Sequence, residues 1–245
     1  MEVPIHRLIL WNIDLTLVDV GRVTRAAYAD AFRTATGRPL VRLPQMAGRT
    51  ESEIFFDALA LNEADSRAPA GEEVLGRFCD ELASAFRARR SLLTEQGRLL
   101  PGALAAVTEV GGLPGVVQTL LTGAIKPNAI EKLQAFALER FFDTEVGGYG
   151  SEVFPKGALL LNARGRAAGK YGVEFPAEAT VYIADSARDV AAAQIGGARS
   201  VAVASGRSPA TELRDAGADV VLADLADTAS VVRAVEWLTA AAATG

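Results

Sequence analysis

Five short apolar runs, each followed by a polar or glycine position, set the rhythm of this chain. Residues 8–11 stop at Asn12, 116–121 at Thr122-Gly123, 180–183 short of Asp185, 200–203 short of Ser205-Gly206, and 219–222 short of Asp224. A continuous apolar run of that length, ended by polar residues, reads as a strand buried on both faces, as in parallel sheets. Between the runs lie residues 127–138, 156–168, 187–195, 209–216 and 229–241, with apolar positions at three- and four-residue spacing. That is the period of an amphipathic helix. The alternation predicts an α/β fold, a Rossmann-like parallel sheet flanked by helices, with ligands beyond the carboxyl ends of its strands.

Residues 19–98 break this rhythm. Segments 24–36, 51–61 and 71–93 carry helical spacing with no convincing strand between them, so an all-helical cap is expected to follow the first strand. Gly37-Arg38-Pro39 and Arg67-Ala68-Pro69-Ala70-Gly71 supply turns within it, and Leu100-Pro101-Gly102 marks the return. The expected domains are a core of residues 1–18 and 99–245 and a cap of residues 19–98. There is no internal repeat, and the alanines at 240–243 read as a fraying helix end.

Composition narrows the function. Half of the 245 residues are hydrophobic, enough to bury a sizeable interior and to exclude a disordered chain. The net charge of -5 comes from mixed acidic and basic residues. No basic stripe for nucleic acid and no polybasic patch for a membrane surface results, so small-molecule chemistry fits best. One cysteine, Cys79, makes no internal disulfide and reads as a buried structural thiol, consistent with a reducing cytoplasm. The first residues, with Glu2 and a short apolar run, suit neither a signal peptide nor a membrane span. His6 falls at the start of the first strand and reads as a surface or turn residue, while Trp11 and Tyr182 read as core.

Four strand-end sites carry candidate chemistry. In Leu10-Trp11-Asn12-Ile13-Asp14-Leu15-Thr16-Leu17, polar groups at 12 and 14 project the same way from an extended chain. Were both acidic, one could attack an electrophile while the other handled the leaving-group proton. Thr122-Gly123 offers a hydroxyl and backbone amides to a phosphoryl oxygen, or an ordinary helix cap. Lys156 opens a helix, where a cation opposes the helix dipole and calls for an anionic partner. Asp185 and Asp189 set hard oxygens at a strand end and in the following first helical turn, a donor type suited to magnesium, although Asp189 there also simply favours the helix.

In that order, and over nearly the whole chain, these motifs resemble the haloacid dehalogenase superfamily, with its opening Asp-x-Asp-x-Thr signature and later strand-end Gly-Asp-x-x-x-Asp pattern. Gly48-Arg49-Thr50-Glu51-Ser52-Glu53 looks like the cap-loop motif of phosphoglycolate-phosphatase-like members, and Arg140-Phe141-Phe142-Asp143 is similar to them too. The resemblance implies a phosphatase using Mg2+ on a small phosphorylated metabolite. An aspartate at 12 would become an aspartyl phosphate, with Asp14 as acid and base and Thr122 and Lys156 gripping the phosphoryl. The implied metal residues are position 12, Asp14, Asp185 and Asp189, and the implied substrate-binding residues are Thr16, Arg49, Thr122 and Gly123.

This sequence departs from the pattern at Leu15 and Ala184, where glycine is common, and at Gly157, where proline often follows the lysine. Asn12, where the nucleophile should stand, is the departure that removes a functional group. An amide is a far poorer nucleophile than a carboxylate and brings no charge to a metal, so hydrolysis should fall by several orders of magnitude while binding survives. The retained Asp14, Thr122, Lys156, Asp185 and Asp189 favour an inactivated or substrate-trapping phosphatase over a natural non-catalytic phosphate-ligand-binding protein. A sugar phosphomutase is the remaining alternative. Asp14 argues against a dehalogenase proper, and the absence of lysine from 18 to 100 argues against a Schiff-base phosphonate hydrolase.

Overall fold

The structure, a computed structural model, describes residues 6–62, 71–152 and 155–240. The Arg67 to Ala70 turn, Val153 and Phe154 ahead of Lys156, and the tail beyond residue 240 lie outside the described residues.

Six strands form one sheet: β1 (Arg7–Trp11), β4 (Val116–Thr122), β5 (Gly148–Tyr149), β6 (Thr180–Ala184), β7 (Arg199–Val203) and β8 (Val220–Leu222), in the order β5-β4-β1-β6-β7-β8. Every pairing is parallel. Side chains alternate across it, because successive residues of a strand face opposite ways. Ile9 and Trp11 of β1, with Val181 and Ile183 of β6, join one buried cluster, while Leu8 and Leu10, with Tyr182 and Ala184, join the other. The first face is covered by α5 (Ala103–Gly111) and α10 (Thr228–Thr239), the second by α7 (Lys156–Tyr171) and α8 (Ala187–Ile195). The two-sided burial explains why these strands read as unbroken apolar runs. α6 (Lys126–Ala135), after β4, adds Ala129 and Leu133 to the first cluster, and α9 (Ala210–Asp215), after β7, packs Leu213 with Val190 and Ala202.

The order also locates the site. From β1 the chain moves outward to β4 and β5, then returns to place β6 on the other side of β1. The carboxyl ends of β4, β1 and β6 therefore flank a switch point, where a crevice opens in sheets of this kind.

Four helices fill the early region: α1 (Gly21–Thr36), α2 (Glu51–Leu61), α3 (Glu72–Arg87) and α4 (Arg90–Gln96). The single helix expected over 71–93 is two, parted at Ala88-Arg89, where Arg89 pairs with Asp30 of α1. Tyr28, Phe32, Phe55, Phe78 and Phe86 build their interior, with Phe55 and Phe78 stacked at 4.6 Å between ring centroids. At the two ends of this region Val18–Asp19 (β2) and Arg98–Leu99 (β3) pair antiparallel as a two-stranded ribbon, an element too short to read from sequence. No helix among the described residues is long and apolar enough to cross a membrane.

Candidate active site

A cavity of about 780 Å3 opens at the carboxyl ends of the central strands, under the helical region. Asn12, Asp14, Thr122, Gly123, Lys156 and Asp185 all line it, as do Arg49 and Ser205-Gly206. Residues separated by up to 173 positions thus meet: Asn12 Nδ2 lies 2.9 Å from Asp185 Oδ1. Asp224, at the end of β8, does not take part. It accepts from the backbone of Ala226 in a turn of its own.

Each side chain is held by the local fold. After β1 the backbone turns back on itself, with the amides of Leu17 and Val18 bonding the Ile13 carbonyl and that of Leu15 bonding the Val18 carbonyl. Leu15 adopts φ +60°, a left-handed conformation that costs an ordinary residue roughly 1–2 kcal/mol and that glycine tolerates freely. That accounts for the preference for glycine at this position noted above. The turn sets the Asp14 carboxylate on Lys132 Nζ at 2.6 Å and the Asp14 carbonyl 3.0 Å from Asn12 Nδ2.

At the β6 end, Asp185 Oδ1 accepts from Asn12 Nδ2 and, at 3.0 Å, from Thr16 Oγ1. Burial and the neighbouring Asp189 push the Asp185 carboxyl up to about 7, against the lowering effect of Thr16, Lys156 and Asn12. Lys156, first residue of α7, donates to Asp189 Oδ1 at 2.6 Å, so the partner that its helix position calls for is supplied by the protein. Its Nζ also faces Asn12 Oδ1 at 3.4 Å. Asp189 accepts further from the Tyr182 hydroxyl at 2.9 Å and from Ser186 Oγ at 2.5 Å. Tyr182 is core, as expected, but its hydroxyl belongs to the site's scaffold, and its ionisation is pushed well up by burial and Asp189.

Thr122 is buried and its Oγ1 accepts from the Ala124 amide at 3.2 Å. Gly123 is required by close approach, since a Cβ there would stand 1.8 Å from the Arg49 carbonyl oxygen. Arg49 itself is engaged by Asp57 at 2.6 Å while lining the cavity. The Thr50–Glu53 capping box starts α2 immediately beside these contacts. Gly157 leaves room for Ile195, whose Cγ2 would lie 2.6 Å from an added Cβ, so this helix start packs on α8 rather than being stiffened by proline.

Two charged residues of the site were not singled out from the sequence. Lys132 sits on the buried face of α6 with Asn128, Ala129 and Leu133, and its Nζ lies 5.3 Å from the Phe86 ring centroid. Its place on an otherwise inward-facing stripe was the available signal. Glu51 is 4% exposed at the start of α2, and the Tyr28 hydroxyl donates to its Oε2. Burial pushes its carboxyl up to about 8, against the lowering effect of Lys132. Half-buried Cys79 is pushed up to about 12 by burial and by Glu51, which keeps it a thiol.

The Glu51 shift carries a stability consequence. Between about 4.5 and about 8 the folded protein holds a proton that the unfolded chain releases, so stability falls as pH rises through that window. Glu51→Gln should flatten the fall, gaining on the parent by on the order of 3 kcal/mol between pH 5 and pH 8. Urea unfolding of both proteins across that range checks it, and parallel curves would refute it.

The cavity is also cationic within an acidic chain. Its described lining includes seven basic side chains (Arg22, Arg25, Arg49, Arg98, Lys132, Lys156, Arg207) against four acidic ones (Asp14, Asp19, Glu51, Asp185). Among the described residues no three His, Cys, Asp or Glu side chains gather as a metal-holding group. The two oxygens that would serve a magnesium ion, the Asp14 carbonyl and Asp185 Oδ1, do converge, but on the nitrogen of Asn12. Asp14 and Asp189, by their carboxylates, are committed to lysines. As the chain stands, its residues do not fit a divalent cation.

A parallel sheet with helices on both faces, whose strand ends bring polar groups into one cavity beneath a helical layer, is a doubly wound α/β architecture with its ligand crevice at the carboxyl edge. The chain matches the model of the haloacid dehalogenase-like hydrolase family over residues 9–194 and belongs to that family. No curated protein matches the sequence. Among solved structures it is similar to a hydrolase from Pseudomonas syringae (23% identity, TM-score 0.67, 94% of this chain and 98% of that one). It is also similar to a predicted phosphoglycolate phosphatase from Haemophilus somnus (18%, 0.62, 92% and 97%). A third is an aspartate-to-asparagine mutant of CbbY from Rhodobacter sphaeroides in complex with xylulose-(1,5)bisphosphate (20%, 0.62, 91% and 96%).

Proposed function

We propose that this protein is built on a phosphomonoester hydrolase of small phosphorylated metabolites, and that with Asn12 in the nucleophile position it binds its substrate without turning it over. The observation that carries the reading is the meeting of Asn12, Thr122, Lys156 and Asp185 in one cavity whose lining is basic while the chain is acidic. A phosphate dianion is drawn to such a cavity. In this reading the Thr122 hydroxyl, the Gly123 amide and Lys156 hold its oxygens.

In the form with aspartate at 12, that carboxylate attacks phosphorus and forms an aspartyl phosphate. Asp14 enters this step protonated and gives that proton to the leaving oxygen; as a carboxylate, held by Lys132, it then takes a proton from the water that attacks the aspartyl phosphate and releases phosphate. Magnesium in that form would be held by the position-12 carboxylate, the Asp14 carbonyl and Asp185, and would offset charge on the transferring group. Residues 19–98 act as the cap that excludes water, with Arg49 at the cavity wall, whereas Thr16, fully buried and bonded to Asp185 and Asn12, supports the site rather than touching substrate. The partner is a small cytoplasmic metabolite rather than a nucleic acid or a membrane. A chain that isomerises sugar phosphates would use the same groups, and the natural binding protein differs only in never having carried aspartate at 12.

Thermal-shift screening of the unaltered chain against a broad panel of phosphomonoesters and their dephosphorylated parents tests the reading. Selective stabilisation by one group of phosphorylated compounds is expected. Equal response to each ester and its parent would overturn it.

A further inference from the structure

The amide of Asn12 is surrounded by oxygens. Its Nδ2 lies 2.9 Å from Asp185 Oδ1, 3.0 Å from the Asp14 carbonyl and 3.3 Å from Thr16 Oγ1, while its Oδ1 faces Lys156 Nζ at 3.4 Å. The orientation is fixed by chemistry. Turned over, the amide would set its oxygen against a carboxylate and a carbonyl, and its NH2 against an ammonium, replacing attractions by repulsions. The residue is 6% exposed, so water does little to soften such a reversal.

An amide nitrogen in this state has hydrogens to give and no lone pair for a hard cation, which takes oxygen ligands. It therefore already occupies the point at which the Asp14 carbonyl and Asp185 converge. Admitting a divalent ion would break both of its shorter hydrogen bonds and drive the amide round onto Lys156. The other carboxylates nearby offer no replacement, because Asp14 and Asp189 each sit 2.6 Å from a lysine nitrogen.

We propose that the Asn12 side chain takes over the organising role of a cation, tying Asp185 to the Asp14 carbonyl, so that this chain binds phosphate groups without a divalent metal. The proposal rests on the phosphate-pocket reading above and deepens it. It makes the chain a metal-independent phosphate-binding protein, with residue 12 as the switch between that behaviour and a metal-requiring one.

Calorimetric titration of inorganic phosphate into the full chain, once in EDTA and once in excess MgCl2, decides the matter, with MgCl2 alone as a third titration. The expected result is phosphate affinity equal within about threefold in the two buffers, and no binding of Mg2+ alone. The same titrations on Asn12→Asp should show Mg2+ binding, and phosphate binding at least about tenfold tighter with the metal. A gain of that size from magnesium in the unaltered chain would overturn the proposal and leave the phosphate pocket standing. So would metal-independent phosphate binding by Asn12→Asp. Phosphate binding by the unaltered chain in neither buffer would overturn the pocket reading itself and the proposal with it.

Discussion

Asn12→Asp should raise the rate of phosphomonoester hydrolysis, assayed with magnesium, by at least about three orders of magnitude, equivalent to roughly 4 kcal/mol of barrier. The change exchanges one NH2 for an oxygen and keeps the shape, so the strand end, the turn at Leu15 and the contact with Lys156 have no reason to move. What changes is the electron pair. An amide delocalises it and holds its nitrogen as a donor to Asp185 and the Asp14 carbonyl, whereas a carboxylate offers a full negative charge for attack. The aspartate would lie beside Asp185 with no hydrogen to give it, so the restored enzyme should lose its activity in EDTA. Phosphate release from the screened ligands, with and without chelator, measures both effects.

The second large effect concerns folding. Lys156 and Asp189 form an ion pair at 2.6 Å in which the two side chains are 4% and 1% exposed. Cutting such a pair on one side strands the remaining charge in the interior, which costs about 3–5 kcal/mol, whereas removing both charges costs far less. Lys156→Met should therefore destabilise the protein by that amount. Lys156→Met combined with Asp189→Asn should recover most of it, because an asparagine at 189 can still accept from Tyr182 through its oxygen while its NH2 donates to the Ser186 hydroxyl oxygen. Denaturant unfolding of the three proteins checks the ordering. Equal losses in the single and double variants would show that Lys156 acts through its packing rather than its charge.

The legibility of this chain follows from how much each element depends on its own residues. The central strands could be read because burial on both faces demands continuous apolar runs, and β1, β4, β6 and β7 fall where residues 8–11, 116–121, 180–183 and 200–203 placed them. β5 spans Gly148–Tyr149, and the β2–β3 ribbon has two residues in each strand, lengths at which no period exists. The break between α3 and α4 was hidden because Leu82, Phe86 and Leu93 all remain buried across it, so the apolar stripe runs on while the backbone does not. The helix over Ala103–Gly111, rich in alanine and valine, was not picked out as a separate element.

Within the site, residues with a motif position could be named in advance, and those defined only by their neighbours could not. Asn12, Thr122, Lys156 and Asp185 end strands or begin helices, where geometry leaves few directions for a side chain. Lys132 and Glu51 matter because of what folds against them: Asp14 and Phe86 for the lysine, Tyr28 for the glutamate. Charged residues on a buried helix stripe look like interruptions in a pattern until the partner is seen. The expectation that positions 12 and 14 present their side chains in parallel assumed an extended chain. Both line the one cavity, but through the turn at Ile13 they take different partners, Asp185 for Asn12 and Lys132 for Asp14.

Every step proposed for this cavity starts from residue 12 as the place where phosphorus would be attacked. Acid quenching of Asn12→Asp during turnover, followed by mass spectrometry of its peptides, tests this directly. One added phosphoryl group is expected on the aspartate at 12, absent from the unaltered chain treated in the same way. A phosphoryl group on Asp14 or elsewhere, or rapid hydrolysis with no phosphorylated peptide at any time, would contradict it.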